Sequence, residues 1–137
     1  MGSRAAKLEY TILCDDIREE IGNKITFVGS YGPDIFVTKL PYSFPKLCFV
    51  SFCKDMKSGD LVTFLLSDPT GKQLGKTINA TVPKDGIGPA KKLTIFAIFS
   101  PLLVNEEGLY KLITTFNQED KSKQEFDFSI KLAQKTK

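Results

Sequence analysis

The hydrophobic residues of this chain occur in short runs that are bounded by Gly, Pro, Asp or Asn. In the last run, residues 124–132, the apolar residues from Phe126 to Leu132 alternate with polar ones. Because successive side chains of a β-strand point to opposite faces, this alternation predicts a strand with one buried face.

Similar runs predict eight or nine strands in all and no helix of ten residues. The expected strands span residues 8–14, 24–31, 34–40, 46–54, 61–67, 73–82, 93–99, 109–117 and 124–132. Residues 15–21 are polar and are expected to form a loop or one helical turn. Strands this short and closely spaced favour an all-β, two-sheet antiparallel sandwich of the immunoglobulin-like type, with a small β-barrel as the alternative.

A length of 137 residues is typical of one domain. We predict a single β-sandwich domain over residues 8–133, with flexible termini at 1–7 and 134–137. Pro41 and Pro45 suggest a crossing between sheets or a sheet edge, because a central strand would lose ladder hydrogen bonds at proline. The runs at 46–54 and 61–67 are apolar on both faces, which indicates central or doubly covered strands.

The segment from Glu107 to Tyr110 resembles the entry into a late strand of immunoglobulin-like and fibronectin-like domains. In those domains a tyrosine at the sheet corner hydrogen-bonds back to the main chain, and the resemblance implies such a bond for Tyr110. The alternative is that the Tyr110 ring only packs at the rim of the sheet. The cysteines do not reproduce the Cys-Trp-Cys pattern of immunoglobulins, so this resemblance is architectural.

A second resemblance rests on residues 14–18 (CDDIR), 22–29 (GNKITFVG) and 44–47 (FPKL). These segments look like the opening of a bacterial family of small proteins known only as a domain of unknown function. Further along the chain, the match is the strand pattern and the turn that contains Asp68 and Gly71. The resemblance implies no known activity, but it makes a role beside other bacterial or phage-encoded gene products plausible.

The composition argues against several classes of function. Histidine is absent, which excludes Ser-His and Cys-His nucleophile pairs and His-ligated zinc. The net charge of +3, from 19 basic and 16 acidic residues, is too mild and too evenly spread to favour a nucleic-acid partner. With 11 Phe, 4 Tyr and no Trp, the aromatic mass is expected to lie in a dry core.

The three cysteines, Cys14, Cys48 and Cys53, have no CxxC spacing, and we interpret them as buried thiols in a reducing compartment. Residues 1–7 lack the apolar segment of a signal peptide, and no run reaches the roughly 18 apolar residues of a membrane span. We therefore expect a cytoplasmic protein with no membrane partner.

Two groups of residues are candidates for binding. The loop 83–92 is the longest irregular segment, and it could be an interaction loop or simply a solvated one. Its candidate contacts are Lys84, Asp85, Lys91 and Lys92. Possible ligand or corner contacts are Tyr31, Tyr42 and Tyr110.

The acidic cluster around Asp15 and Asp16 is better explained as a solvated cap than as a cation site. We therefore predict no catalytic residues, no metal ligands and no cofactor.

The first functional hypothesis is a non-enzymatic interaction module in which a sheet edge or a loop end binds another protein or a second copy. The alternative is a small-ligand binder with a pocket between the sheets or at the loop end. A third possibility is an enzyme that uses two carboxylates, although the sequence favours no particular pair. A flat apolar patch would support the first hypothesis, and an apolar cavity between the sheets would support the second.

Overall fold

The computed structural model describes residues 5–85, 88, 89 and 91–133. Within these residues the chain is almost entirely β, with no α-helix and therefore no helix that could cross a membrane. A 3₁₀ turn at Asp120–Ser122 joins the last two strands. The strands are β1 (Lys7–Glu20), β2 (Lys24–Ser30), β3 (Asp34–Val37), β4 (Tyr42–Phe44), β5 (Leu47–Lys54), β6 (Leu61–Ser67), β7 (Gln73–Thr81), β8 (Leu93–Phe99), β9 (Leu102–Val104), β10 (Gly108–Phe116) and β11 (Gln124–Leu132).

The first large sheet has four antiparallel strands in the order β2-β1-β5-β8. Its strand β1 is 14 residues long, because residues 15–20 continue the strand and pair with β2. The prediction of a loop or helical turn there is wrong. Three residues, Ile21, Gly22 and Asn23, connect the paired Glu20 and Lys24. Gly22 and Asn23 have φ angles of 89° and 59°, which glycine and asparagine tolerate best. The charged residues can lie in a strand because β2 is an edge strand and water solvates this end of the hairpin.

The second large sheet has five strands in the order β3-β11-β10-β6-β7. All of its pairs are antiparallel except that of β3 with β11, which is parallel. The turn between β6 and β7 forms as predicted, with the Gly71 amide donating to the main-chain oxygen of Asp68 at 3.0 Å. The Asp68 carboxylate also accepts hydrogen bonds from the amides of Thr70 and Lys72, each at 2.9 Å. These bonds satisfy main-chain amides that have no partner on a neighbouring strand at the turn.

A small third sheet pairs β4 with β9. Pro41 and Pro45 flank β4, and Pro101 precedes β9. Because β3 belongs to the five-stranded sheet and β5 to the four-stranded sheet, the chain crosses between the large sheets at these prolines. The predicted crossing is therefore confirmed.

The inner faces of the two large sheets share one hydrophobic core. At its centre the Phe49 ring from β5 lies 5.7 Å from the ring of Phe99, 6.2 Å from that of Phe126 and 5.6 Å from that of Phe128, centroid to centroid. None of the sheets closes into a barrel. The structure thus has eleven strands within the described residues, and the two beyond the predicted nine are β4 and β9, each only three residues long.

The start of the chain departs from the prediction of a flexible segment through residue 7. Ala6 is buried in the core and Lys7 already belongs to β1. The Gln124 side chain holds this start in place, since it accepts a hydrogen bond from the Leu8 amide at 2.9 Å and donates one to the Leu8 oxygen at 3.4 Å. Residues 1–4 and 134–137, predicted as flexible, and residues 86, 87 and 90 of the loop 83–92 lie outside the described residues.

Candidate functional site

The outer face of the four-stranded sheet, which points away from the core, is apolar across neighbouring strands. In register, Cys48 on β5 lies between Cys14 on β1 and Ile98 on β8. The next row along the sheet is Ile12, Val50 and Phe96. We define the outer apolar face as these side chains and the aromatic rings beside them, namely Tyr10, Ile12, Cys14, Phe27, Cys48, Val50, Phe52, Phe96 and Ile98.

Large side chains on this face cover the small ones. Cys14, Cys48 and Val50 are fully buried although no second sheet formed by the described residues lies over them. Tyr10 is stacked on Phe52 with ring centroids 4.4 Å apart, and it remains 54% exposed. Ile98 is 43% exposed. The face is therefore an apolar layer with its own packed interior and a water-facing surface of aromatic and aliphatic groups.

The outer face of the five-stranded sheet has a different character. It carries the ion pair between Lys111 and Glu125, with Nζ and Oε1 3.1 Å apart, and a hydrogen bond from the Thr63 hydroxyl to the Asn79 side-chain oxygen at 2.9 Å. Leu109, 46% exposed, lies on the same strand as Lys111. Of the two large sheets, the four-stranded one therefore has the more apolar outer face.

The three thiols are free and buried, as predicted. On the outer apolar face, the Cys14 thiol donates to the main-chain oxygen of Asp16 at 3.4 Å, and the Cys48 thiol to that of Asp15 at 3.7 Å. Cys53 lies on the opposite face of β5, in the core. Burial raises the pKa of Cys48 and of Cys53 to about 11, and it also raises the pKa of Cys14. Thiols held neutral in this way behave as small apolar groups.

A cleft of about 310 Å³ lies where the chain crosses between the large sheets. Its walls are Asp15, Tyr31, Tyr42, Phe44, Pro45 and Lys46. The structure thus brings together two of the three tyrosines predicted as contacts.

Three polar side chains of this cleft, those of Asp15, Tyr31 and Lys46, have partners. The Tyr31 hydroxyl donates a short hydrogen bond to the Asp15 carboxylate. Burial, and then this bond, hold the pKa of Tyr31 well above its usual value, so the hydroxyl remains a donor across neutral pH. Lys46 pairs with Asp16 at 3.0 Å, and the hydrogen bond between them lowers the pKa of the Asp16 carboxyl and raises that of the Lys46 ammonium.

Gly29 makes room for the Asp15 carboxylate. Its φ is +66°, and a Cβ built on it would lie 2.5 Å from Oδ2 of Asp15. Only glycine provides both that space and an unstrained positive φ. The position of the carboxylate is therefore determined by the β1-β2 hairpin as well as by Tyr31.

Tyr110 does not line the cleft. Its ring is buried in the core and stacks on Phe128 with centroids 5.6 Å apart, while its hydroxyl donates to the main-chain oxygen of Glu106 at 2.7 Å. The hydrogen bond implied by the resemblance to immunoglobulin-like domains is confirmed. The role of Tyr110 is thus to hold a sheet corner.

The loop 83–92 is anchored on both sides. The Ser58 hydroxyl donates to the main-chain oxygen of Lys84 at 2.5 Å, and the Lys92 ammonium lies 3.5 Å from a carboxylate oxygen of Glu9. The predicted contacts are exposed residues, namely Lys84, Asp85, Lys91 and Lys92. That they bind a partner stays a prediction.

Sequence reasoning missed the outer apolar face and the role of Asp15. The sequence does show apolar residues at every second position, namely Tyr10, Ile12 and Cys14 on β1 and a similar series on β5. It does not show which strands are neighbours in the sheet. In the described parts of the chain, no three Cys, Asp or Glu side chains are grouped so that they could hold a metal ion.

Comparison with known families matches residues 9–131 to DUF6941, a family of unknown function. The match covers most of the chain, so the protein belongs to this family, and the resemblance drawn from its first third is confirmed. No curated protein matches the sequence significantly.

Among solved structures, the chain is similar to two crystal structures of a β-glucosidase from Listeria innocua, one in complex with glucose and one with isofagomine. Each has 12% identity and a TM-score of 0.45 over 82% of this chain and 18% of the β-glucosidase chain. This chain thus spans less than a fifth of those chains.

Proposed function

We propose that the protein is a non-enzymatic interaction module that associates with a second copy of itself through the outer apolar face. The observation that carries the proposal is the apolar layer across β1, β5 and β8, with Tyr10 and Ile98 exposed to water at 54% and 43%. Contiguous exposed apolar groups on a folded domain commonly mark a surface that is covered by a partner.

The chemistry of this face suits a second copy. None of the nine side chains that define it is charged, so two such faces can meet without burying an unpaired charge. Two sheets pack face to face about 10 Å apart, and a two-fold axis lets the same patch serve both partners. Tyr10 and Phe52 would supply aromatic groups of the kind that dominate interface energetics.

The size of the face predicts weak association. Four strands about 4.8 Å apart and about seven residues long at roughly 3.3 Å per residue give a footprint of about 400 Å². A specific interface usually buries about 800 Å² on each partner. We therefore expect a dimer that dissociates on dilution, with a dissociation constant in the micromolar range or weaker.

The compartment forms part of the proposal. Free, buried thiols on the outer apolar face and in the core suit a reducing compartment such as the cytoplasm. The absence of histidine from the sequence supports a role in binding rather than in catalysis.

Sedimentation velocity between about 5 μM and 1 mM, with reductant present, tests the proposal. The expected result is a sedimentation coefficient that rises with concentration toward that of a dimer. Ile98→Lys places an ammonium within the apposed faces, on their β8 side. It is expected to keep the protein monomeric over the whole range, because a charge buried without a partner is costly.

Leu109→Lys is the matched control. Leu109 is 46% exposed and also lies on a strand, but on the outer face of the five-stranded sheet. This variant should associate as the unmodified protein does. A monomer at every concentration, or equal losses of association in both variants, would contradict the proposal.

A further inference from the structure

The geometry points to a second binding site, independent of the outer apolar face: the cleft between Asp15, Tyr31 and Tyr42 accepts an alkylammonium group, such as a quaternary amine or a methylated lysine side chain. This function goes beyond self-association, because it concerns a small cationic group and uses side chains outside the outer apolar face.

The walls of the cleft are largely aromatic. Tyr42 and Phe44 meet edge to face, with centroids 4.8 Å apart and an interplanar angle of 75°. Tyr31 is a further aromatic residue lining the cleft. The faces of aromatic rings attract cations, and Tyr31, Tyr42 and Phe44 all line this cleft. A cleft of about 310 Å³ is large enough for a trimethylammonium group.

The charged side chains of the cleft also favour a cationic ligand. In the part of the chain that the structure describes, two charged residues line the cleft, Asp15 and Lys46. The Lys46 ammonium is paired with Asp16, which does not line the cleft, at 3.0 Å, whereas the Asp15 carboxylate accepts a hydrogen bond from the Tyr31 hydroxyl. The carboxylate of Asp15 therefore lines the cleft with a hydroxyl, and not a cation, as its hydrogen-bond partner. This arrangement favours a cationic ligand over an anionic one.

The site is held in place before any ligand arrives. Gly29 leaves space for Asp15 and the Tyr31 hydroxyl orients it, while the Tyr31 amide donates to the main-chain oxygen of Leu13 at 2.8 Å. A preformed site loses little conformational entropy on binding. Even so, a partly open cleft with a few rings and one carboxylate should bind a free amine only at about millimolar affinity.

Amide NMR spectra of the ¹⁵N-labelled protein, titrated with choline, test the inference. The expected result is saturable shifts at Asp15, Tyr31, Tyr42 and Lys46. The matched control ligand is 3,3-dimethylbutan-1-ol, which has the shape of choline without its charge. It should bind at least about fivefold more weakly, because the cation-π and carboxylate contacts need the positive charge.

Two variants test whether the charges that line the cleft determine its affinity for choline. Asp15→Asn keeps an oxygen that can accept the Tyr31 hydrogen bond but removes the negative charge, and it should weaken choline binding about fivefold. Lys46→Met removes the cation that lines the cleft among the described residues and leaves Asp16 without that partner, so it should strengthen binding. Asp120→Asn, in the 3₁₀ turn, is the control and should leave the affinity unchanged.

A second titration with N-acetyl-trimethyllysine methylamide distinguishes the source of the ammonium group. Tighter binding of this compound than of choline would support a modified polypeptide side chain, and the reverse would support a free quaternary amine. Equal binding of choline and its neutral analogue, no saturable shifts with either amine, or unchanged affinity in Asp15→Asn would overturn the inference. None of these outcomes depends on whether the protein dimerises.

Discussion

The hydroxyl of Tyr110 donates a 2.7 Å hydrogen bond to the main-chain oxygen of Glu106, four residues earlier in the chain. The bond closes the corner through which the chain enters β10, and the Tyr110 ring extends from it into the core against Phe128. One side chain therefore anchors both the corner and the centre of the five-stranded sheet.

Tyr110→Phe keeps the ring and removes this hydrogen bond. We expect a loss of about 1 to 2 kcal/mol in the free energy of unfolding, because the Glu106 oxygen loses its donor in a partly buried position. Urea denaturation at a low protein concentration measures this loss. Tyr10→Phe, at a position that is 54% exposed, is the control and should change stability by less than about 0.5 kcal/mol. Equal effects of the two substitutions would show that the corner bond contributes nothing.

The protein should lose stability at alkaline pH. Burial raises the pKa of Cys48 and Cys53 to about 11 from an ordinary 9.0, so the native state retains protons that the unfolded chain releases. The stabilisation from the neutral thiols is complete below pH 9 and is lost as the pH rises through about 11, on the order of 1 kcal/mol per thiol at pH 10. Urea midpoints measured from pH 7 to 11 should therefore fall above pH 9.

Cys53→Ala tests whether the buried thiols cause this loss of stability, because it removes one of the two thiols whose pKa is raised to about 11. The variant should be less stable than the unmodified protein at pH 7, because it leaves space in the core, but its stability should fall less between pH 9 and 11. Identical pH profiles for the two proteins would argue against the role given to this thiol. The decline that remains comes from Cys14, Cys48, Tyr31 and Tyr110, whose pKa values are also raised chiefly by burial.

Gly29 should be far less tolerant of alanine than Gly22, although both have positive φ angles. A Cβ at Gly22 meets nothing within 4 Å, whereas one at Gly29 lies 2.5 Å from Oδ2 of Asp15. Gly22→Ala should cost only the backbone strain of about 1 kcal/mol. Gly29→Ala should cost this strain and in addition displace Asp15 from Tyr31.

A double-mutant cycle in urea denaturation isolates the steric part of this effect. In an Asp15→Ala background, Gly29→Ala should cost only slightly more than Gly22→Ala does, because the carboxylate is gone and only the Cβ of residue 15 remains, 3.3 Å away. If Gly29→Ala remained as costly in that background, the strain would come from the backbone alone and not from contact with Asp15.

The strands that the sequence predicted best are those with unambiguous local signals. The bounds 61–67, 93–99 and 124–132 coincide with β6, β8 and β11, because turns or prolines end these runs. The hydrophobic pattern did not predict the strand at residues 15–20, because its side chains are largely charged. That strand is stabilised by pairing with β2 and by the turn at Gly22 and Asn23. Strand pairing is a tertiary interaction, and no local pattern reports it.

The candidate sites were predictable only in part, for the same reason. Tyr31 and Tyr42 were recognised as possible ligand contacts, but Asp15 reaches them only because β1 runs on beside β2. The outer apolar face requires β1, β5 and β8 to be neighbours, and these strands are far apart in sequence. Residues 46–54 did predict a strand with two apolar faces, yet they could not show that one face lacks a covering layer.

Amide NMR spectra of the unmodified protein, recorded between about 20 μM and 1 mM with reductant, test self-association through the outer apolar face most directly, because they report association and its location together. We expect concentration-dependent shifts in β1, β5 and β8, strongest near Ile12, Val50 and Ile98, and small shifts on β10. Spectra that do not change with concentration, or changes confined to β3, β7 or the loop 83–92, would contradict this expectation.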